Sequence, residues 1–154
     1  LREICFSKYS GEEFSRRWLE NVEREDLLEM DVLFGDVAGA IAELKGLGIK
    51  MHVVTNRQCY KELESELQRL NIRDMFEKVI STFRKCTKAD AIRMAGIEIG
   101  KAIFVGDSAE DMDAALHLGI SGVLIERGPL RTDKVKTDFY IRALNEMNGI
   151  ILEK

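Results

Sequence analysis

Short apolar runs alternate with amphipathic stretches through most of this 154-residue chain. Runs rich in β-branched side chains predict buried strands, whereas apolar residues spaced three or four positions apart predict helices. The predicted strands cover residues 49–55, 78–81, 101–105, 121–125 and 138–141. The predicted helices cover residues 11–30, 37–45, 59–70, 88–95 and 110–118, with a terminal helix running through Met147.

The alternation of strands and helices begins at residue 49 and continues to the end of the chain. This order favours parallel strands joined by crossover helices, so we predict an α/β, Rossmann-like sheet with helices on both faces. A chain of this length can bury one full hydrophobic core. We assign residues 33–154 to the core domain and residues 1–32 to a separate N-terminal segment.

Composition excludes several classes of function. Hydrophobic residues make up 45% of the chain, charged residues 32%, and the net charge is −4. The sequence has no basic stripe of the kind that binds nucleic acid, so a nucleic acid partner is not expected. Its apolar runs are too short to span a membrane. The three cysteines form no CxxC pair, which argues against a disulfide framework or a zinc site and favours a reduced, cytoplasmic location.

Polar residues follow three of the predicted strands. Thr55 and Asn56 follow the first strand, a basic stretch from Arg84 to Lys88 follows the second, and Asp107 with Asp111 follows the third. In a parallel sheet, the carboxyl ends of neighbouring strands open into one crevice where ligands bind. These residues are therefore expected to share a site.

The residue types at this crevice suit a phosphate group and a metal ion. Two nearby carboxylates can hold Mg²⁺, a lysine can neutralise a phosphate, and free N–H groups at a helix start favour anions. Each piece also has a simpler interpretation. Asp107 or Ser108 can cap the next helix, Thr55 and Asn56 can do the same, and the lysines can be solvated surface residues.

The combination of these residues resembles the haloacid dehalogenase-like (HAD) superfamily of phosphatases and phosphotransferases. The segment from His52 to Asn56 resembles the second motif of this family, whose Thr or Ser binds the phosphoryl group. The segment from Phe104 to Ser108, with Asp111, resembles the fourth motif, which holds Mg²⁺. Either Lys88 or Lys85 would be the third-motif lysine, and the resemblance runs from about Leu33 to Ile125.

The resemblance implies roles for six residues. Thr55 and Lys88, or Lys85, would be catalytic, and Thr55, Asn56 and Lys88 would bind phosphate. Asp107 would be the direct ligand of Mg²⁺, while Asp111 would act through water or by orienting the site. The subclass resembles phosphoglycolate phosphatase, which implies a small phosphorylated metabolite or inorganic phosphate as the partner.

The family's nucleophile, an aspartate in a DxD motif on the first strand, has no counterpart before Thr55. One explanation is truncation, because the chain begins at Leu1 and the predicted helix from Gly11 resembles the last helix of the family's cap domain. The other is degeneration, in which Ser7 and Tyr9 stand where the two aspartates would be.

Both explanations predict that the chain as given performs no aspartyl-phosphate chemistry, and that Mg²⁺ binding is weak. The leading interpretation is a HAD-like phosphatase core, and the alternative is a non-catalytic pseudo-phosphatase that binds phosphate or a protein. If a central strand is missing, exposed sheet edges favour a homo-oligomer.

Overall fold

A computed structural model of the chain describes residues 11–127 and 135–152. The helices in these ranges, in chain order, are α1 (Gly11–Asn21), α2 (Glu25–Leu28), α3 (Val37–Gly46), α4 (Tyr60–Arg69), α5 (Lys88–Met94), α6 (Ala109–Leu118) and α7 (Met147–Leu152). The strands are β1 (His52–Thr55), β2 (Lys78–Ser81), β3 (Ile103–Gly106), β4 (Ser121–Ile125) and β5 (Phe139–Ile141). Short 3₁₀ turns lie at Arg73–Met75 and Leu144–Glu146.

All strand pairs are parallel, as the alternating pattern predicts. β1 pairs with β2, and β4 lies between β3 and β5. Thr55 lies opposite Ser81, and Gly106 lies opposite Leu124, so the carboxyl ends of the paired strands are level. No ladder joins β1 to β3 in residues 11–127 and 135–152, so each of these two strands keeps one unpaired edge there.

Helices cover both faces of the strands. On β1, Val53 packs with the core of α3 and α4, whereas its neighbour Val54 packs with the core of α5 and α6. On β3, Phe104 joins the α5–α6 core, and Ile103 and Val105 pack on the opposite side with α7. Successive strand side chains point to opposite faces, so this division shows two helical layers around the strands. The predicted α/β, Rossmann-like fold is confirmed.

Side-chain packing joins the two sets of strands, between which the described ranges contain no hydrogen-bond ladder. Val54 of β1 and Phe104 of β3 contact the same hydrophobic cluster. On the other face, Leu144 contacts both the cluster of α3 and α4 and the cluster around β4. Val123 and Leu124 at the centre of β4 are fully buried, as expected of a strand covered on both faces.

The prediction of a single helix over residues 11–30 is wrong, because α1 ends at Asn21 and a separate helix, α2, begins at Glu25. The Asn21 amide donates to a carbonyl one turn back at 2.7 Å, a bond typical of a helix end. The carboxylate of Glu23 then accepts the N–H groups of Gln58 and Cys59 at the start of α4. This tertiary contact draws the chain out of the helix. The boundary predicted after residue 32 stays a prediction.

Two other element ends differ from prediction. The first strand begins at His52 rather than residue 49, because Ile49 donates its N–H to Leu44 and completes the end of α3. The terminal helix begins only at Met147, because the Glu146 carboxylate accepts the N–H groups of Arg142 and Ala143 and holds a 3₁₀ turn before it. The remaining predicted elements are confirmed to within two residues at each end. Every helix in the described ranges falls short of the length and hydrophobicity that a membrane span requires.

Candidate phosphate and metal site

The turn from β3 into α6 is closed by a capping box. The Ser108 hydroxyl accepts the N–H of Asp111 at 3.3 Å, and the Asp111 carboxylate accepts the N–H of Ser108 at 3.2 Å. This reciprocal pair satisfies two N–H groups at the helix start. The capping alternative therefore applies to Ser108 and Asp111, and it leaves Asp107 without a capping role.

Gly106 permits the close approach of Asp111 to the end of β3. A Cβ atom at Gly106 would lie 2.3 Å from both Cβ and Cγ of Asp111, well inside van der Waals contact. The glycine is therefore required by space at this junction. It allows the Asp111 side chain to fold back beneath the strand end, where the residue is 5% exposed.

Lys88 at the start of α5 forms an ion pair with Asp111. Its Nζ lies 2.6 Å from Oδ1, and the two side chains are 12% and 7% exposed. The other oxygen of Asp111, Oδ2, accepts from the Ser108 hydroxyl at 2.6 Å. Because both oxygens are engaged, Asp111 is arranged to hold Lys88 and the turn in place. A direct metal bond would have to compete with these donors.

Asp107 is the exposed carboxylate at this strand end, and it has no hydrogen bond or ion pair to any residue described. Among all the residues that the structure describes, no group of three or more His, Cys, Asp or Glu side chains is arranged to hold a metal ion. A single free carboxylate suits Mg²⁺ when the ion keeps several waters and shares a substrate phosphate. The residues present fit a weak Mg²⁺ site of that kind.

Asn56 bridges three elements. Its Oδ1 accepts from the Thr82 hydroxyl at 2.7 Å, and its Nδ2 donates to both carboxylate oxygens of Glu110 at 2.8 and 3.0 Å. Thr82 follows β2 and is 2% exposed, and Glu110 lies in the first turn of α6. These bonds join the carboxyl ends of β1 and β2 to the start of α6, so the strand ends do converge.

Neither Thr55 nor Asn56 caps α4, which removes that alternative. The Thr55 hydroxyl accepts the N–H of Arg57 at 3.3 Å, within the loop itself. The anion at the start of α4 is Glu23, whose carboxylate accepts two N–H groups at 2.8 and 3.0 Å. The N–H groups at this helix start are thus bonded to a carboxylate of the protein itself, and phosphate binding here stays a prediction.

The structure separates the two candidate lysines. Lys88 contacts Asp111, whereas Lys85 is exposed and lines a cleft of about 370 Å³ together with Asn56, Arg84, Cys86, Thr87 and Glu110. Sequence reasoning did not single out Thr82 or Glu110. Thr82 could have been found, because it is a polar residue directly after a predicted strand, like Thr55.

The strand ends of this α/β fold carry groups that are chemically compatible with a phosphate and a cation. The model of the haloacid dehalogenase-like hydrolase family matches residues 4–125. The chain belongs to this family. The match begins well before Leu33, where the motif resemblance starts, so it includes most of the N-terminal segment.

Several solved structures share this fold. A HAD phosphatase from Thermococcus onnurineus is 28% identical, with a TM-score of 0.68 over 82% of this chain and 63% of that one. A predicted phosphoglycolate phosphatase from Haemophilus somnus is 21% identical, with a TM-score of 0.68 over 90% of this chain and 63% of that one. An L-2-haloacid dehalogenase from Xanthobacter autotrophicus is 18% identical, with a TM-score of 0.64 over 79% and 61%.

The chain spans about three fifths of the length of these solved proteins. The two matches with lower identity show the fold alone. A comparison with curated protein sequences finds no match.

Proposed function

We propose that this chain is the core of a Mg²⁺-dependent HAD-like phosphatase and binds the phosphate group of a small phosphorylated metabolite. The observation that carries the proposal is the Lys88–Asp111 pair, which lies at the turn after β3, with Asn56 bonded to the neighbouring Glu110 in the first turn of α6. The phosphatase from Thermococcus onnurineus is 28% identical to this chain and the dehalogenase from Xanthobacter autotrophicus 18%, and this difference favours phosphate over halide chemistry.

The proposed phosphate ligands are Thr55, Asn56 and Lys88. The Asn56 amide would exchange its bonds to Glu110 for bonds to the phosphate. The lysine supplies positive charge, and its pairing with Asp111 keeps the ammonium in one position. Fixed donors of this kind stabilise a phosphoryl group without reorganisation. Lys85 is too exposed for the same duty, and we assign the third-motif role to Lys88.

The proposed metal ligand is Asp107, with Asp111 orienting the site through Ser108 and Lys88. Mg²⁺ held there would neutralise charge on the phosphate oxygens. Asp107 would contribute one oxygen only, so tight binding would require the phosphate itself and further ligands.

Hydrolysis in this family requires a carboxylate nucleophile. Asp107 is the free carboxylate at the strand end, and its proposed duty is metal binding. The alternative first motif around Ser7 and Tyr9 lies outside the described residues. We propose that the chain by itself binds phosphate without hydrolysing an ester. The second candidate is a non-catalytic pseudo-phosphatase, in which the Lys88–Asp111 pair serves to hold the strand end for binding rather than for catalysis.

The test combines binding with turnover. Calorimetric titration with methylphosphonate, with and without Mg²⁺, measures the site directly, and an aryl phosphate measures hydrolysis. We expect methylphosphonate affinity to fall at least about tenfold in Lys88→Gln, which corresponds to one charge-assisted hydrogen bond. Asp107→Asn should remove the increase in methylphosphonate affinity that Mg²⁺ causes. Lys101→Gln, a control at an exposed residue, should change neither the affinity nor its dependence on Mg²⁺.

Two results would contradict the proposal. Affinity that is unchanged in both Thr55→Val and Lys88→Gln would place phosphate elsewhere. Aryl phosphate turnover that disappears in Asp107→Asn would show that the chain does catalyse hydrolysis at this site.

A further inference from the structure

The loop between β2 and α5 has an unusual backbone. Phe83 and Arg84 are consecutive, neither is glycine, and both have positive φ angles, of 49° and 54°. Side chains with a Cβ disfavour this left-handed region, and such conformations persist only where the surroundings impose them. The surroundings therefore hold the loop in one specific shape.

Hydrogen bonds to the two strand ends impose this conformation. The buried Thr82 donates its N–H to Thr55 at 2.9 Å, and its hydroxyl accepts the N–H of Arg84 at 3.1 Å. The Thr82 carbonyl accepts the N–H of Lys85 at 2.9 Å, and the Ser81 hydroxyl accepts the N–H of Phe83 at 3.0 Å. The loop is thus attached to the same strand ends that form the proposed phosphate site.

This shape places two cations beside that site. Arg84 and Lys85 line the 370 Å³ cleft, of which Asn56 forms another wall. Neither cationic side chain has a hydrogen bond or ion pair to the described residues. The one carboxylate on the cleft, Glu110, is already bonded to the Asn56 amide. The lining is therefore net positive, and its cations are available to a ligand.

We infer that this cleft is a second anion subsite, which selects phosphorylated metabolites carrying another anionic group, either a carboxylate or a second phosphate. The inference rests on the proposed function, because Lys88 and Asn56 would bind the first phosphate while Arg84 and Lys85 bind the second group. Arg84 offers a planar guanidinium that can contact carboxylate and phosphate oxygens in pairs, and Lys85 adds a point charge.

The experiment compares ligands with one and two anionic groups. Methylphosphonate has one, methylenediphosphonate has two phosphonates, and phosphonoacetate has a phosphonate and a carboxylate. Titration without added divalent cation avoids chelation. We expect one or both bifunctional ligands to bind the wild-type protein at least about tenfold more tightly than methylphosphonate, with the better one identifying the second group.

The Arg84→Gln/Lys85→Gln variant should abolish this preference and leave methylphosphonate affinity within about twofold. Both residues are exposed, so the variant is expected to fold, which circular dichroism checks. The Lys101→Gln/Lys136→Gln protein is the matched control, because it loses the same net charge at exposed positions outside the cleft. Its preference for bifunctional ligands should be that of the wild type.

The experiment distinguishes failure of the second anion subsite from failure of the proposed function. A preference that persists in the loop variant, or that is equally lost in the charge control, would overturn the second subsite and leave the proposed function intact. Absence of methylphosphonate binding by the wild-type protein would instead overturn the proposed function, on which the inference rests.

Discussion

Replacing Lys88 with methionine tests whether its ion pair with Asp111 organises the site. The substitution keeps most of the side-chain volume and removes the ammonium. Asp111 then remains a carboxylate in a position that is 7% exposed, with its Oδ1 left without a partner. The structure predicts a large loss of stability from this single change.

The magnitude follows from the burial of the pair. Removing one member of a buried ion pair costs about 3–5 kcal/mol, because the remaining charge is left uncompensated. Asp111 keeps the hydroxyl and the N–H of Ser108 as donors, which places the expected cost near the lower end, at about 3 kcal/mol. With a urea slope of about 2 kcal/mol per molar, the midpoint should fall by roughly 1.5 M.

Urea unfolding measures this shift, and the chain offers a matched control. Lys85→Met makes the same chemical change three positions earlier at an exposed residue, and it should cost less than about 0.5 kcal/mol. In Lys88→Met/Asp111→Asn both charges are absent. The double variant should therefore lose less unfolding free energy than the sum of the losses in the two single variants. A coupling energy of about 1–3 kcal/mol is expected for groups in direct contact.

A cost below about 1 kcal/mol for Lys88→Met would refute an organising ion pair. Strictly additive single variants would refute it as well. Either result would mean that the two side chains are solvated separately in solution.

Three further predictions concern packing, pH and association. Gly106→Ala should cost about 1–3 kcal/mol of stability, because the added methyl group would overlap Asp111. Gly35→Ala should be nearly neutral, because no atom lies within 4 Å of its added methyl group. Urea unfolding compares the two variants, and equal costs would contradict the prediction. Asp36 accepts the N–H of Leu144, which is the main reason that its pKa lies below the usual 3.8, with Arg127 adding to the effect. A lowered carboxyl pKa stabilises the fold fully above the pKa of the unfolded state, and this stabilisation is lost as the pH falls through the pKa of the folded state. The stability difference between wild type and Asp36→Asn should therefore shrink from about pH 5 to pH 3. A constant difference in thermal midpoint would refute this. Among residues 11–127 and 135–152, β1 and β3 each have one edge without a ladder, and such edges should favour self-association; a monodisperse monomer in light scattering would count against it.

The sequence alone determined the order and type of most elements. Apolar runs such as residues 121–125 could be recognised as strands because burial on both faces leaves few polar positions, and β4 matches that prediction residue for residue. The residues following β1 and β3 could be recognised as site candidates for a related reason. Polar side chains directly after a buried strand lie at the edge of the sheet whatever the details of packing.

Only the tertiary structure decided how those candidates are used. Lys85 and Lys88 are equally basic in the sequence, but the cap at Thr87 starts α5 so that Lys88 meets Asp111, while Lys85 stays in the preceding loop. The break in the helix predicted over residues 11–30 likewise depends on a contact from Glu23 to α4, 35 residues away. Local patterns report which face of an element is buried. They contain no information about the partner that a charged side chain meets across the fold, because that depends on long-range geometry and on the cost of leaving a buried charge unpaired.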